Sequence, residues 1–282
     1  MIADNETNKV FLSGKLKENY KKTCEEIEYA LRAVNGNYGF LPNTNDIWAR
    51  DYMPIQVSGS TFIEYRYDPD YLQGATPKRR GIKTYPDIVC DAIGLKTQKS
   101  DLILDGGNVV KSSNVIILTD KALKENKPKY NKTEFIKNLH STFEVEKVVL
   151  IPWDNDCEFG HSDGMLRFID NETVLVSGFY EHVDNQLKEG IINSLKKAKL
   201  NIEWLRCEQK ESEDNIAYIN FLQTKDYLFL PKLNTDQDQT ALEQIKYYFK
   251  DYSKNKRIFQ INMTEIVKYG GALNCISWTI KE

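Results

Sequence analysis

The chain repeats one pattern of predicted elements at roughly fifty residues, and this repeat most constrains what it can fold into. Each unit has two short β-rich runs joined by a polar turn, then a helix-like segment, then one apolar strand. The hairpins are predicted at 53–65, 108–119, 166–177 and 219–231. The helices follow at 87–93, 132–143, 184–200 and 236–249, and the closing strands at 102–104, 147–151, 202–205 and 257–261.

The two ends of the chain supply the parts of a fifth unit. A strand is predicted at 9–13 and a helix from about 16 to 34 that ends at Asn35-Gly36, and a further strand follows Cys275. Joined together, these segments would close a ring. We therefore predict one α/β domain over residues 1–282, since units that recur around one axis share a single core.

The loop before each hairpin carries residues capable of chemistry. These loops contain Trp48-Ala49-Arg50-Asp51, Asp105-Gly106-Gly107, Gly160-His161-Ser162-Asp163, Glu213-Asp214-Asn215, and Gly270-Gly271 with Cys275. In a ring of similar units, equivalent loops meet at one end of the axis. The repeat therefore predicts that carboxylates, an imidazole and a thiol share one pocket.

Cys275 is the predicted nucleophile. Two glycines and a short apolar run surround it, so we expect an exposed thiol at the mouth of a strand, although a buried cysteine in a terminal strand is the simpler alternative. The five cysteines are odd in number, scattered and without a C-x-x-C pair. This pattern indicates neither a disulfide framework nor a structural zinc site.

His161 is the predicted partner of the thiol, because a cysteine needs a base or a positive charge nearby to ionise at neutral pH. The acids Asp51, Asp105 and Asp163 would raise the pKa of that thiol, so their presence favours a substrate that brings its own cation. A guanidinium group is permanently charged and matches carboxylates in a fork geometry. Taken singly, each acid is equally compatible with a turn-forming role.

Composition excludes several partners. The formal net charge is −3 and the basic residues are spread among acidic ones, so no basic face for nucleic acid or anionic lipid is predicted. No apolar run approaches membrane-spanning length, and the first residues lack the layout of a secretion signal. We expect a soluble cytoplasmic protein, and a homodimer is compatible with the sequence.

Motifs in the same order occur in one known family. They are Trp48-Ala49-Arg50-Asp51 with Pro54, Asp105-Gly106-Gly107-Asn108, Gly160-His161-Ser162-Asp163 with Arg167-Phe168, Tyr218-Ile219-Asn220-Phe221, Pro231 through Asp236 with Asp238, and Gly270-Gly271 with Cys275. From about residue 45 to 277 the chain resembles the agmatine deiminase and bacterial-type peptidylarginine deiminase family of guanidine-modifying enzymes. The resemblance implies a five-bladed α/β propeller of ββαβ units, no metal or organic cofactor, and a small cationic guanidino substrate.

The resemblance also implies roles for the catalytic residues. Cys275 would attack the guanidinium carbon, and His161 would protonate the departing ammonia and then activate a water molecule. Asp105 would orient His161, although agmatine deiminases usually carry glutamate at this position.

Four further residues are predicted to bind substrate. By the same resemblance Asp51 and Asp163 would hold the guanidinium nitrogens. Trp48 is predicted to line the path of the alkyl chain, a role open also to Trp153 and Trp278, with packing as the simpler alternative for each. Asn220 is predicted to bind substrate. The first expectation for the reaction is agmatine to N-carbamoylputrescine and ammonia.

Other functions stay open at this level. Free arginine would need a cation for its carboxylate, with Arg66, Arg79 and Arg80 as candidates, and arginine in a peptide would need an open cleft. An amidinotransferase would use the same residues, and a guanidinium-binding protein without turnover would keep the pocket. A metal site on Cys157, His161 and Asp163 is a weaker alternative, because the full ligand set at known spacing is lacking.

Overall fold

The computed structural model describes residues 1–73, 81–207 and 217–282, and in these residues fifteen strands form five three-stranded sheets. The strands are β1 (Lys9–Ser13), β2 (Asn37–Leu41), β3 (Ile55–Gln56), β4 (Phe62–Arg66), β5 (Gln98–Ile103), β6 (Val110–Lys111), β7 (Val115–Thr119), β8 (Lys147–Ile151), β9 (Leu166–Phe168), β10 (Thr173–Ser177), β11 (Asn201–Leu205), β12 (Leu222–Gln223), β13 (Leu228–Lys232), β14 (Ile258–Asn262) and β15 (Ser277–Ile280). The helices are α1 (Gly14–Asn19), α2 (Lys21–Ala33), α3 (Ala49–Tyr52), α4 (Pro86–Ala92), α5 (Lys121–Asn126), α6 (Lys132–Phe143), α7 (Asn185–Lys197), α8 (Gln237–Tyr248) and α9 (Lys250–Lys254).

All five sheets follow one connection rule. In each sheet the first strand pairs antiparallel with the second, and the second pairs parallel with the third across a helical connection. In four of the five sheets a short turn joins the antiparallel pair. In the second unit β6 pairs with β7 through Val110↔Ile117, and β7 pairs with β8 from Val115↔Lys147 to Thr119↔Ile151. Parallel strands need such a crossover, and this requirement places a helix after every middle strand.

The fifth sheet is built from both ends of the chain. β15 pairs antiparallel with β1, and β1 pairs parallel with β2, in the order β15-β1-β2. This arrangement confirms the predicted ring of five units. The strand β2 was not predicted, and the helix predicted at 16–34 is two helices, since Tyr20 leaves the helical region with φ −134° and ψ 56°.

Helix α6 shows how local sequence fixes the elements. Asn131 and Glu134 form a reciprocal capping box at its start, and Glu144 ends the helix in the left-handed conformation. Its buried side chains, Phe135, Leu139 and Phe143, recur every four residues and therefore lie on one face. Burial of each contributes about 1.5–3 kcal/mol.

The loops that precede the hairpins are tied together by short turns. Helix α3 packs on the 3₁₀ turn Gly106–Asn108, which in turn packs on the turn Ser162–Gly164. The backbone N–H of Arg50 donates to the carbonyl of Cys275 at 3.0 Å, which joins the first and last of these loops. The predicted loop 213–215 lies outside the described residues.

Among the helices that the structure describes, none has the length and apolar character needed to cross a membrane.

Candidate active site

The loops enclose a pocket of about 240 Å³ that is lined by four of the predicted catalytic and binding residues, Trp48, Asp51, His161 and Cys275. The remaining described lining residues are Asp46, Tyr67, Tyr71, Leu72, Ile82, Glu158, Phe159, Tyr269, Gly270 and Gly271. Asp105 and Asp163 are buried behind this surface, at 4% and 2% exposure. The thiol and the imidazole, which come from loops more than a hundred residues apart, therefore face one space.

His161 lies between two carboxylates. Its Nε2 is 2.9 Å from Oδ2 of Asp105, and its Nδ1 is 3.6 Å from Oδ1 of Asp51. Burial alone would lower the pKa of His161, but the negative charges of Asp51 and Asp105 outweigh it and raise the pKa to about 10. The ring is therefore an imidazolium at neutral pH, and Nε2–H donates to Asp105.

The Cys275 thiol is buried, which corrects the expectation of an exposed nucleophile. The residue is 6% exposed, and Sγ is 3.5 Å from Oδ2 of Asp163. Burial, together with the carboxylates of Asp163 and Asp51, raises the pKa of Cys275 well above its ordinary value. In the free protein the sulfur is consequently a neutral thiol at the base of the pocket.

A polar clamp behind the thiol fixes its loop. Oδ1 of Asn220 accepts hydrogen bonds from the backbone N–H of Ala272 at 3.1 Å and of Cys275 at 3.2 Å, and its carbonyl accepts one from Asn274 at 3.0 Å. Nδ2 of Asn274 donates to Asp163 at 2.6 Å. Asn220, predicted to bind substrate, is thus not among the described lining residues and instead holds the cysteine loop.

Asn274 was not singled out from the sequence. The only signal for it was its place next to Cys275, and the acid that it contacts lies in another unit.

Asp51 is placed by a glycine that approaches it closely. The backbone N–H of Gly107 donates to Oδ1 of Asp51 at 3.2 Å. A Cβ at position 107 would lie 2.5 Å from that oxygen and 2.7 Å from Nδ1 of His161, so only glycine fits. Burial raises the pKa of Asp51 to about 8, against the opposing effect of His161. A bound cation would return the side chain to its ionised form.

Trp48 lines the pocket. A Cβ at Gly271 would lie 2.5 Å from the Trp48 ring, so the second glycine of the Gly270-Gly271 pair allows the cysteine loop to pack against the indole. The position of this side chain is compatible with contact to an alkyl chain in the pocket.

The described pocket surface carries acids and no lysine or arginine. Asp46 and Glu158 line it together with Asp51, and burial raises the pKa of Asp46 to about 7. The side chain of Arg66, a predicted carboxylate-binding candidate, is 61% exposed and pairs with Asp68. The other candidates, Arg79 and Arg80, lie outside the described residues.

Within 1–73, 81–207 and 217–282, no group of three or more His, Cys, Asp and Glu side chains has an arrangement that could hold a metal ion. The alternative site on Cys157, His161 and Asp163 therefore receives no support from the geometry.

Comparisons with known proteins indicate the same family as the sequence motifs do. A family model described as Porphyromonas-type peptidyl-arginine deiminase matches residues 1–280. A Vibrio parahaemolyticus protein named "Putative agmatine deiminase" is 25% identical over 276 residues, which cover 84% of this chain and 76% of that protein.

Solved structures share the fold. The agmatine deiminase of C. jejuni superposes with a TM-score of 0.78 at 17% identity, over 100% of this chain and 95% of that one. A dimethylarginine dimethylaminohydrolase (DDAH) from Pseudomonas aeruginosa, solved with citrulline, gives a TM-score of 0.58 at 13% identity, over 97% and 99% of the two chains. These similarities establish the five-bladed α/β propeller that the sequence predicted.

Proposed function

The chain belongs to the Porphyromonas-type peptidyl-arginine deiminase family, and on that premise we propose that it deiminates agmatine through a covalent intermediate on Cys275. At the coarser level it is a hydrolase that acts on carbon–nitrogen bonds of amidino groups. The observation that carries the proposal is the shared pocket of Cys275, His161 and Asp51, with Asp163 against the sulfur and Asp105 against the imidazole.

Capture of the guanidinium activates the nucleophile. Asp51 and Asp163 provide the negative charge that a planar cation requires, and they are also the charges that keep the Cys275 thiol protonated. A cation bound between them cancels that effect, so the thiol loses its proton as substrate enters. Above about pH 8, where Asp51 is already ionised in the free protein, binding of one positive charge and release of one proton leave the net charge of the pocket unchanged.

The first half of the reaction exchanges one bond for another. The thiolate of Cys275 forms a sulfur–carbon bond to the guanidinium carbon, and the carbon–nitrogen bond to one terminal nitrogen breaks. That nitrogen leaves as ammonia with a proton from His161. Since Nε2 is held by Asp105, the proton that moves is the one on Nδ1. A thiouronium group remains on the enzyme.

The second half uses the same imidazole as a base. His161, now neutral, takes a proton from water, and the hydroxide adds to the thiouronium carbon. The sulfur–carbon bond then breaks as the hydroxyl proton of the adduct passes to the sulfur, which releases a neutral ureido product and regenerates the thiol. The elevated pKa of His161 suits the first half, because the ring must be protonated when ammonia departs.

Agmatine is favoured by the charge of the pocket. Agmatine carries an ammonium at the end opposite its guanidinium, and Asp46 and Glu158 add negative charge to the described lining beyond Asp51. The rings of Trp48 and Phe159 provide apolar surface for the alkyl chain between the two cations.

The test is turnover of agmatine by the purified protein, with ammonia and the ureido product measured together. Cys275→Ala should abolish both products, whereas Cys157→Ala, which alters a partly exposed cysteine that is not among the described lining residues, should retain them. Comparable turnover by both variants would remove Cys275 as the nucleophile.

A deiminase of arginine in peptides is the second candidate. It is favoured by the side chains at the pocket opening, since Tyr269 and Ile82 are 47% and 41% exposed and would face the rest of a peptide. Parallel assays with agmatine, free arginine and a blocked arginine peptide distinguish the candidates by kcat/KM. A preference for the peptide would replace agmatine as the substrate.

A further inference from the structure

The carboxylate of Asp4, whose side chain is 14% exposed, faces three buried cations from three different units. Its Oδ1 is 2.7 Å from Nζ of Lys111 and 3.9 Å from Nη1 of Arg50, and its Oδ2 is 2.7 Å from Nη2 of Arg167. Lys111 belongs to β6, Arg167 to β9 and Arg50 to α3. Asp4 therefore joins the N-terminal segment to the inner parts of the first three units.

The cations around Asp4 reach the loop of the proposed nucleophile. Arg50 donates its backbone N–H to the carbonyl of Cys275 at 3.0 Å, and its Nε to the carbonyl of Asn274 at 3.4 Å. Arg167 donates Nη1 to the carbonyl of Phe221 at 2.7 Å, directly after the asparagine that clamps the Cys275 backbone. Asp4 is thus connected to the loop of Cys275 by two routes. Each route passes through a single arginine, Arg50 in the first and Arg167 in the second.

One of these cations also acts on the acid next to the thiol. Arg167 interacts electrostatically with Asp163 as well as with Asp4, and Asp163 is the carboxylate in contact with the Cys275 sulfur. Asp4 consequently competes with Asp163 for the positive charge of Arg167. In a buried region such charges are weakly screened, so the competition extends over several ångströms.

We propose that Asp4 sets the electrostatic potential at Cys275, by neutralising part of the positive charge of Lys111, Arg167 and Arg50, and so keeps the thiol protonated until a guanidinium binds. The inference rests on the proposed function, in which the substrate cation triggers loss of the thiol proton. Asp4 contacts neither the substrate nor the sulfur, and it acts only through the charges of the three cations that it faces. A thiol that is neutral in the empty pocket is also protected from oxidation and alkylation.

The groups that act on the sulfur come from several elements. Asp163 in the 162–164 turn and Asp51 in α3 oppose thiolate formation, and the backbone N–H of Ala272 and the side chain of Asn220 favour it. His161 faces the same pocket. Asp4 adds to this set indirectly, because it reduces the stabilisation that the buried cations would otherwise give to a thiolate.

The experiment measures the alkylation rate of Cys275 by iodoacetamide between pH 7 and 11, in the full-length protein without substrate. Mass spectrometry of the Cys275 peptide gives the rate, and Cys157 in the same sample serves as a reference thiol. Asp4→Asn should lower the pKa of Cys275 by about half a unit to one unit, so that alkylation at pH 8 is about three- to tenfold faster. Lys111→Met should raise the pKa and slow alkylation.

Glu6→Gln is the matched control. Glu6 lies on the same segment as Asp4 and carries the same charge, but its ion pair is with Lys281 at the surface, at 3.2 Å. We expect this variant to leave the alkylation profile of Cys275 unchanged.

Opposite shifts in the Asp4→Asn and Lys111→Met variants support the proposal, because damage to packing would move both profiles in the same direction. No shift, shifts of equal sign, or an equal effect of Glu6→Gln would overturn it. If only one variant retains the native circular dichroism spectrum, the direction of its shift in the pKa of Cys275 decides the test. Loss of folding in both variants would show that the network is purely structural and would overturn the proposal. The readout needs no turnover, so a protein that fails to deiminate agmatine would refute the proposed function while this test still decides the role of Asp4.

Discussion

Replacement of Gly107 by alanine would place a methyl group between the two pocket residues Asp51 and His161. The new Cβ would lie 2.5 Å from Oδ1 of Asp51 and 2.7 Å from Nδ1 of His161, whereas real Cβ contacts essentially never fall below 3.0 Å. Both side chains must therefore retreat, by about 0.5 Å and 0.3 Å at the least. The hydrogen bond from the Gly107 N–H to Asp51 would be strained by the same movement.

The expected cost falls on catalysis more than on folding. A misplacement of about 1 Å in a reacting group costs about a hundredfold in rate, so we expect kcat/KM for agmatine to fall by about thirty- to a hundredfold. This corresponds to about 2–2.7 kcal/mol of transition-state stabilisation. Overpacking by one methyl group costs about 1–3 kcal/mol of folding free energy, which a domain of ordinary stability tolerates.

Gly164→Ala provides the control for Gly107→Ala. Gly164 lies in the turn next to Asp163, and a Cβ there would meet no heavy atom within 4 Å. Steady-state kinetics and urea unfolding of both variants separate the two effects. If Gly107→Ala keeps kcat/KM within threefold of the unaltered protein, or if Gly164→Ala is equally impaired, the close approach of Asp51 and His161 does not have the catalytic role given to it here.

Three further predictions concern charged groups. For the unaltered protein, kcat/KM should rise as the pH passes about 8, where Asp51 loses its proton and can hold a cation, and should fall above about 10, where His161 no longer carries the proton for ammonia. A flat profile of kcat/KM from pH 6 to 11 would contradict both roles. Asp105→Asn should lower kcat by about a hundredfold and move the alkaline limb to lower pH, because His161 loses the charge opposite Nε2, and an unmoved limb would count against this pairing. Lys121→Met should reduce the free energy of unfolding in urea by about 3–5 kcal/mol, because Glu125 loses a partner at 2.6 Å, and a change below about 1 kcal/mol would refute the importance of this ion pair.

Much of the fold could be predicted because its signals are local. The predicted strand at 115–119 and helix at 132–143 match β7 and α6 to the residue, since the run of β-branched residues lies within the strand and the capping box lies at the start of the helix. The strand β2 escaped prediction because Asn37–Leu41 contains a glycine, and its extended form depends on parallel pairing with β1. The break at Tyr20 likewise has no strong signal in its neighbours.

Some features of the candidate site could likewise be predicted from the sequence, and others could not. His161, Cys275 and Asp51 could be found because each occupies the same position in its repeat unit, so symmetry brought them together. The depth of Cys275 could not be read from flanking glycines, because burial is set by the packing of other loops over it. Asp4 precedes the first repeat unit, and its partners lie in three separate units, so no sequence spacing connects them.

The pairing of β15 with β1 has a consequence for biosynthesis. The sheet next to Cys275 pairs β1 with β15, the first and the last of the described strands, so a nascent polypeptide on the ribosome lacks both the nucleophile and the strand that follows it until all the other described strands have been made. Appearance of the thiol in its native setting would then report that the circle of sheets has closed. A partly made chain would expose the edge of β1 without the partner that normally covers it.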